Sequence, residues 1–360
     1  MMEASCAPAT LLMIGGHAEI HGGLEAFATR AQNCLGIVQH CHSETPGRRL
    51  KGLGAYLAAL GHCARRLAGC DTVWLHYGSA YDLAYLLLAK LAGKTVVVTP
   101  HLGSGWRSLK SAPIRALCNR LLAAADAVFT LYEDQARELR FPPCVVRRCR
   151  RMPTFLPEDA LVCEAAVRRP NGPLRLTHVA RLSAAKGSFA FLAVCQALRR
   201  HGVALEASIA GSADAATVRH LREEIAARDL PIRILGYLPP PQLMAHLRTQ
   251  DVLVNLSLQD AYPLTVLEAL ACGVAPVCTA LPGTREMAAA VPGITLIEGQ
   301  DGEGAAEEIL KLERENIADG RRVVRRLFGW PQLKAQYLPV FAALAAARNF
   351  RGNPEKAIAQ

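Results

Sequence analysis

The sequence contains no run of about 18 apolar residues, the length a helix needs to span a bilayer. Its richest candidate, Asp82 to Gly93, is too short and contains Lys90. No Cys-x-x-Cys pair occurs among the 12 cysteines, so the spacing of zinc ribbons and thioredoxin-like redox sites is missing and reduced packing cysteines are expected. The nearest thing to a ligand cluster is His40-Cys41-His42. Adjacent residues on a strand point to opposite faces, so these three do not converge on one ion and no metal is expected. The Gly-x-Gly-x-x-Gly fingerprint is absent too, which argues against a dehydrogenase. Nor does a basic segment precede the first apolar stretch, so Leu11 to Gly16 reads as a first strand rather than a signal peptide, and the cytoplasm is the expected compartment.

Acidic residues are the scarcer charge, 31 against 41 basic ones, for a net charge of +10. The excess lies in two clusters. Arg147, Arg148, Arg150 and Arg151 follow Phe141-Pro142-Pro143, and Arg321, Arg322, Arg325 and Arg326 come near the end. Either cluster suits anionic lipid head groups, which makes peripheral contact with the inner face of a membrane an expectation. Zinc-finger spacing, an aromatic RNA-binding signature and a basic-zipper repeat are all missing, so nucleic acid is not expected as a partner. With 51% hydrophobic and 20% charged residues the composition is globular. A chain of 360 residues exceeds the roughly 100 to 200 of one domain, and two domains are predicted.

The first half alternates apolar strands with helices, with strands near Leu11 to Gly15, Thr72 to His76, Thr95 to Thr99 and Ala127 to Leu131. That is the pattern of a Rossmann-like domain. After its first strand, Gly15-Gly16-His17-Ala18-Glu19-Ile20-His21-Gly22-Gly23-Leu24-Glu25 is a glycine-rich loop feeding a helix, which lets backbone approach a ligand and offers amides to phosphate. His101 falls at the carboxyl edge of the strand Val96-Val97-Val98-Thr99-Pro100, and His76 ends the strand before it. Of the two, His76 reads as a support residue.

The second half holds the most informative stretch, Gln259 to Gly273, with carboxylates at Asp260 and Glu268 around a helix start. Pro263 is read as the first helical residue, so the amides of Leu264 and Thr265 point outward without intrahelical partners. Such an end attracts anions. Carboxylates accept from hydroxyls while the amides suit phosphate, so the set fits a nucleotide diphosphate sugar. Upstream, the buried strand Leu174 to Ala180 runs into Arg181-Leu182-Ser183-Ala184-Ala185-Lys186-Gly187. Ligands of open α/β sheets bind at that edge, where Arg181 and Lys186 can neutralise a diphosphate leaving group.

These motifs together resemble the retaining glycosyltransferases of glycosyltransferase family 4, group 1. The family's Gly-Arg-Leu-like strand end with Arg and Lys five apart is met by Arg181 and Lys186, and its two acids eight apart by Asp260 and Glu268, before Ala271-Cys272-Gly273-Val274-Ala275-Pro276-Val277. Between them come Ile209-Ala210-Gly211, Leu235-Gly236-Tyr237-Leu238 and Asp251-Val252-Leu253-Val254-Asn255-Leu256-Ser257, and after them Pro282-Gly283-Thr284-Arg285-Glu286, each similar to a family motif in its order. Gly22-Gly23-Leu24-Glu25 resembles the family's Gly-Gly-x-Glu loop. Two positions depart from the pattern: Asp260 replaces the usual Glu and Pro263 the usual Gly. The shorter acid changes the reach to a sugar hydroxyl, and the proline has neither an N–H nor glycine's latitude.

The resemblance implies the GT-B fold, two Rossmann-like, doubly wound α/β domains facing across a cleft. It implies an acceptor-binding domain over 1–165, a nucleotide-sugar domain over 166–330 and a C-terminal helix over 331–360 that crosses back to the first. Pro153, Pro157, Pro170 and Pro173 mark the join, and Phe328-Gly329-Trp330 precedes the last helix. The implied activity is metal-independent transfer of a hexose-type sugar, with retention, from a UDP- or GDP-sugar to a glycan or lipid-linked acceptor, with no cofactor. His101, Asp260, Arg181 and Lys186 are its expected catalytic residues. Gly22, Gly23, Tyr237, Leu264, Thr265 and Glu268 join Arg181 and Lys186 in holding the donor. A non-catalytic sugar-nucleotide or glycan binder and a sugar-nucleotide epimerase are the alternatives.

Overall fold

The computed structural model describes residues 10–16, 23–35, 38–46, 50–103, 111–156, 158–162 and 172–352. It divides into two compact units. One takes the first strand, Leu24–Pro153 and Pro331–Gln360, and the other takes Thr154–Trp330.

The first unit is a parallel sheet of β1 (Leu11–Ile14), β2 (Val38–Cys41), β3 (Thr72–Tyr77), β4 (Thr95–Pro100), β5 (Ala127–Thr130) and β6 (Cys149–Arg151), in the order β2-β1-β3-β4-β5-β6. Helices Gly23–Leu35, Leu50–Leu67, Leu83–Leu91 and Ala112–Leu122 connect strands. Val96, Val97 and Val98 are all fully buried, as expected where a parallel sheet is covered on both faces and its strands read as continuous apolar runs. The strands β2 and β6 escape the sequence reading because Gln39 and His40 in one and Arg150 and Arg151 in the other break the apolar pattern. Both lie at sheet edges, where a polar strand costs least.

One face of this sheet carries an aromatic cluster built from distant segments. Trp74 packs edge-on to Phe27 at 5.7 Å, and Tyr337 and Phe341 of the helix Trp330–Gly352 lie 5.3 Å from the Trp74 ring. The Tyr337 hydroxyl donates to the carbonyls of Met152 and Pro153 at 3.1 and 3.0 Å. A buried tyrosine that satisfies its hydroxyl adds both apolar area and direction, so the terminal helix is tied to the end of the first sheet.

The second unit is again a parallel sheet, of β7 (Leu174–Val179), β8 (Leu205–Ala210), β9 (Ile232–Gly236), β10 (Val252–Asn255), β11 (Ala275–Thr279) and β12 (Thr295–Ile297), ordered β12-β11-β10-β7-β8-β9. Its strand order reverses between β7 and β10, and that of the first sheet between β1 and β3. Connections leave in opposite directions on the two sides of such a point, and a crevice opens at the carboxyl ends of the strands.

Arg147, Arg148, Arg150 and Arg151 are all exposed, as are Arg322 and Arg326, while some members of each cluster also bond to helix ends. Arg148 donates to the carbonyls of Ala123 and Ala125 at 2.6 and 2.7 Å, at the end of the helix Ala112–Leu122. Arg321 and Arg325 both donate to the Ala271 carbonyl, which ends the helix Leu264–Ala271. Cations at helix carboxyl ends satisfy orphan carbonyls and the dipole. The ten described cysteines are free thiols, seven of them buried, so they act as packing groups. Among the described residues no helix is long and apolar enough to cross a membrane.

Gly211 follows β8 with φ of +146°, and a Cβ there would lie 1.7 Å from the Ala180 carbonyl oxygen. Gly202 has φ of +77° but nothing within 4 Å of a Cβ. Gly202→Ala therefore carries only backbone strain, about 1 kcal/mol, whereas Gly211→Ala adds a collision with backbone and is expected to cost roughly 2 kcal/mol or more. Urea unfolding midpoints check this: equal shifts for the two variants would mean that the close approach at Gly211 is not real.

Candidate functional site

In the second unit the reversal of strand order brings the loop after β7 against the loop after β10. Gly187, with φ of +84°, is the contact point: a Cβ there would lie 2.5 Å from the Leu256 carbonyl oxygen. Only glycine combines that φ with so close an approach. The Leu258 amide donates to the Ala185 carbonyl at 2.8 Å, and the Gln300 amide donates to the carbonyls of Ala184 and Leu256. The two loops are thereby one piece of backbone.

A buried polar chain sets the first loop from below. Val254 O can only accept, so His178 carries its proton on Nδ1, which lies 2.9 Å away. Burial holds this imidazole neutral by lowering its pKa to about 4, so His178 Nε2 accepts from the Ser188 hydroxyl at 3.2 Å. Ser188 Oγ in turn accepts from the Ser183 amide, and Ser183 Oγ from the Lys186 amide. Every member has one direction available, which is how a buried network specifies a single arrangement.

That loop delivers Lys186 to Asp260. The ammonium lies 2.6 Å from Asp260 Oδ1 and 2.6 Å from the Gln259 carbonyl oxygen, with both side chains largely enclosed. Two of its three N–H donors are occupied, and one remains for a ligand oxygen. Arg181 stands exposed at the end of β7. Next to this pair begins the eight-residue helix Leu264–Ala271. Pro263 is its N-cap and not its first helical residue, a correction of one position to the sequence reading. The amides of Leu264 and Thr265 still lack intrahelical acceptors, because they belong to the first turn. Asn255, ending β10, donates to Thr265 Oγ1 at 3.3 Å and braces the helix start.

Glu268, the second acid of the pair, is 1% exposed. Tyr237 follows β9 and is 43% exposed. Gly23 opens the helix Gly23–Leu35, while Gly22 falls outside the described residues.

In the first unit a second arrangement occupies the carboxyl edge. His76 Nδ1 and His101 Nε2 lie 2.8 Å apart, and Phe27 packs against both rings at 5.1 and 5.5 Å. The backbone at His101 is clamped: its amide donates to Tyr77 O at 2.8 Å, and the fully buried Gln135 amide donates to Pro100 O and Leu102 O on either side. Burial pushes the His101 imidazole down to about 3, and lowers that of His76 well below its ordinary value. His40 Nε2 lies 2.7 Å from the Gly15 carbonyl oxygen. A carbonyl accepts, so Nε2 is the protonated nitrogen of that ring. Cys41 turns to the other face of the strand, where it meets Cys63.

Sequence reasoning named Arg181, Lys186, Asp260, Leu264, Thr265 and His101, but not His178, Ser183, Ser188, Gln135, Asn255 or Gln300. Histidine and serine at apolar strand ends were the available signal for the first three. The glutamines act on backbone carbonyls far away in sequence and leave no local pattern.

His101 and His178 titrate near 6.5 when unfolded and at about 3 and about 4 when folded. A folded value below the unfolded one gives stability that is complete above about pH 6.5 and is lost as pH falls toward the folded values, by about 1.4 kcal/mol per pH unit per group. Asp82, pushed up to about 6 by burial, acts oppositely: its contribution is present below about pH 4 and lost as pH rises through about 6. His178→Gln removes one titrating imidazole, so its unfolding free energy should fall less steeply than wild type between about pH 6.5 and 4.5. Parallel slopes in urea melts would contradict a buried neutral His178.

Comparison with known proteins adds to this geometry. Residues 164–325 match the family described as Glycosyl transferases group 1. The putative colanic acid biosynthesis glycosyltransferase WcaL of Salmonella typhimurium is 28% identical over 156 residues, 41% of this chain and 38% of that protein. The amylovoran biosynthesis glycosyltransferase AmsK of Erwinia amylovora is 28% identical over 123 residues, 32% of this chain and 30% of that one. The chain thus spans well under half the length of the curated relatives it matches. Among solved structures, HepE of Anabaena in complex with UDP and glucose has a TM-score of 0.76 at 13% identity, covering 93% of this chain and 99% of its own. With two six-stranded parallel sheets of this topology, the chain has the GT-B fold, and its residues 164–325 match the glycosyl transferases group 1 family.

Proposed function

We propose that this protein is a retaining, metal-independent glycosyltransferase that moves a hexose-type sugar from a UDP- or GDP-sugar to a glycan or lipid-linked acceptor in the synthesis of a cell-surface polysaccharide. The observation that carries the reading is the meeting of Lys186, Asp260 and the start of the helix Leu264–Ala271 at the β7/β10 reversal. The match of residues 164–325 to group 1 supports it, as do relatives named for colanic acid and amylovoran biosynthesis.

In this reading Arg181, the remaining Lys186 donor and the amides of Leu264 and Thr265 hold the diphosphate as negative charge develops on it. Asp260 accepts from a hydroxyl of the transferred sugar, with its geometry set by Lys186. Glu268, four residues after Leu264 on the same helix face, accepts from the ribose of a ligand seated against the helix start. Tyr237 lies beside the nucleotide. His101 meets a hydroxyl-bearing ligand of the first unit. No side chain is placed as a nucleophile, so retention follows from attack on the face that the leaving group departs, with a donor phosphate oxygen taking the acceptor's proton.

A binder without turnover is the second reading, favoured by Asp260 and Pro263 where related sites have Glu and Gly. Release of nucleotide diphosphate across a panel of UDP- and GDP-sugars with glycan acceptors separates the two. Turnover with one donor is expected, and tight donor binding without release under any acceptor sinks the transferase. A donor at 100 times its dissociation constant should raise stability by about 2.7 kcal/mol, enough to find it by thermal shift. Lys186→Ala should lower turnover by about 10² or more; an unchanged rate in a folded variant removes Lys186 from the chemistry.

A further inference from the structure

The two imidazoles at the edge of the first sheet differ in what they can do. His76 is 0% exposed, and among the described residues its Nε2 has no hydrogen-bond partner. Its position is set by Gly15, where a Cβ would lie 2.5 Å from the His76 Cβ, and by the rings of Trp74 at 4.7 Å and Phe27 at 5.1 Å. His101 is partly exposed, and its one ring hydrogen bond from a described residue is to His76 through Nε2.

We propose that His76 is the positioning residue of His101: by occupying Nε2 it leaves Nδ1 as the single ring atom offered to a ligand, and it makes His101 an orienting contact for a hydroxyl that does not take the hydroxyl's proton. The inference rests on the reading of His101 as a ligand contact. Either nitrogen of the 2.8 Å pair can carry the shared proton, and both cases lead to the same result. Where His76 Nδ1 donates, His101 holds its own proton on Nδ1 and presents a donor. Where His101 Nε2 donates, Nδ1 presents a lone pair, but a proton accepted there has no onward route. To pass through, it would have to leave His76 by Nε2, which is enclosed without an acceptor among the described residues. The alternative is a cation on a ring surrounded by Phe27, Trp74 and the sheet, which the low-polarity surroundings oppose. The desolvation that lowers His101 to about 3 agrees with a ring that remains neutral.

Two side chains distinguish the two ring nitrogens. An asparagine amide reaches the place of Nδ1, and a glutamine amide the place of Nε2. With the full chain and the donor and acceptor that support turnover, His101→Asn should keep activity within about tenfold of wild type, and His101→Gln should lose about tenfold more, the worth of one hydrogen bond. The opposite order, or equal and complete loss in both, overturns the proposal. Long-range proton–nitrogen spectra of histidine-labelled protein give a readout that does not need activity. His101 in wild type should show one fixed tautomer, with its nitrogens well separated in shift, and in His76→Phe these should move to the averaged values of a free ring. A His101 already averaged in wild type, or unmoved by His76→Phe, overturns the positioning role. A fixed tautomer released by His76→Phe in a chain that turns over no donor would uphold the positioning role and overturn the transferase reading.

Discussion

The close approach of Gly187 to the carbonyl of Leu256 is the constraint on which the rest of the second-unit site depends. A side chain at that point would hold the β7 loop away from the β10 loop, and Lys186 would no longer reach Asp260. The approach is possible because the sheet reverses its strand order there, leaving the carboxyl ends of two adjacent strands uncovered by a crossover. Below it, His178, Ser188 and Ser183 give the loop one hydrogen-bonded arrangement. Above it, the ion pair and the helix start present an N–H donor, a carboxylate oxygen and free amides within one small region. A ligand that carries both phosphate and hydroxyls matches that mixture of groups.

The first unit solves a different problem with the same topology. Its carboxyl edge, at the reversal between β1 and β3, carries the His76–His101 pair with Phe27 against both rings. The second site pairs Lys186 with Asp260, whereas burial in the first keeps His76 and His101 uncharged. The helix Trp330–Gly352 contributes to this enclosure, since Tyr337 and Phe341 pack at an angle against Trp74, whose ring lies 4.7 Å from that of His76.

Much of this was legible in the chain. Apolar runs such as Val96 to Val98 announced buried parallel strands, and the positions of Arg181, Lys186 and Asp260 at strand ends beside a helix start were also legible, because spacing relative to a strand end or a helix start is a local property. The strands β2 and β6 were not legible, since an edge strand tolerates polar residues that erase the apolar pattern. The basic clusters were legible as charge but not in their partners: Arg148, Arg321 and Arg325 also bond to the carbonyls of distant helix ends.

The sequence by itself determined which chemical groups stand at strand ends and helix starts, because periodicity, glycine and proline act over a few residues. Only the tertiary structure decided which of those groups meet. Lys186 and Asp260 are 74 positions apart, and His76 and His101 are 25 apart. Their pairing comes from strand order and register, which no local pattern encodes. The same holds for the burial that encloses Glu268 and keeps His101 neutral, since desolvation is a property of everything packed around a group and not of the group's neighbours in the chain.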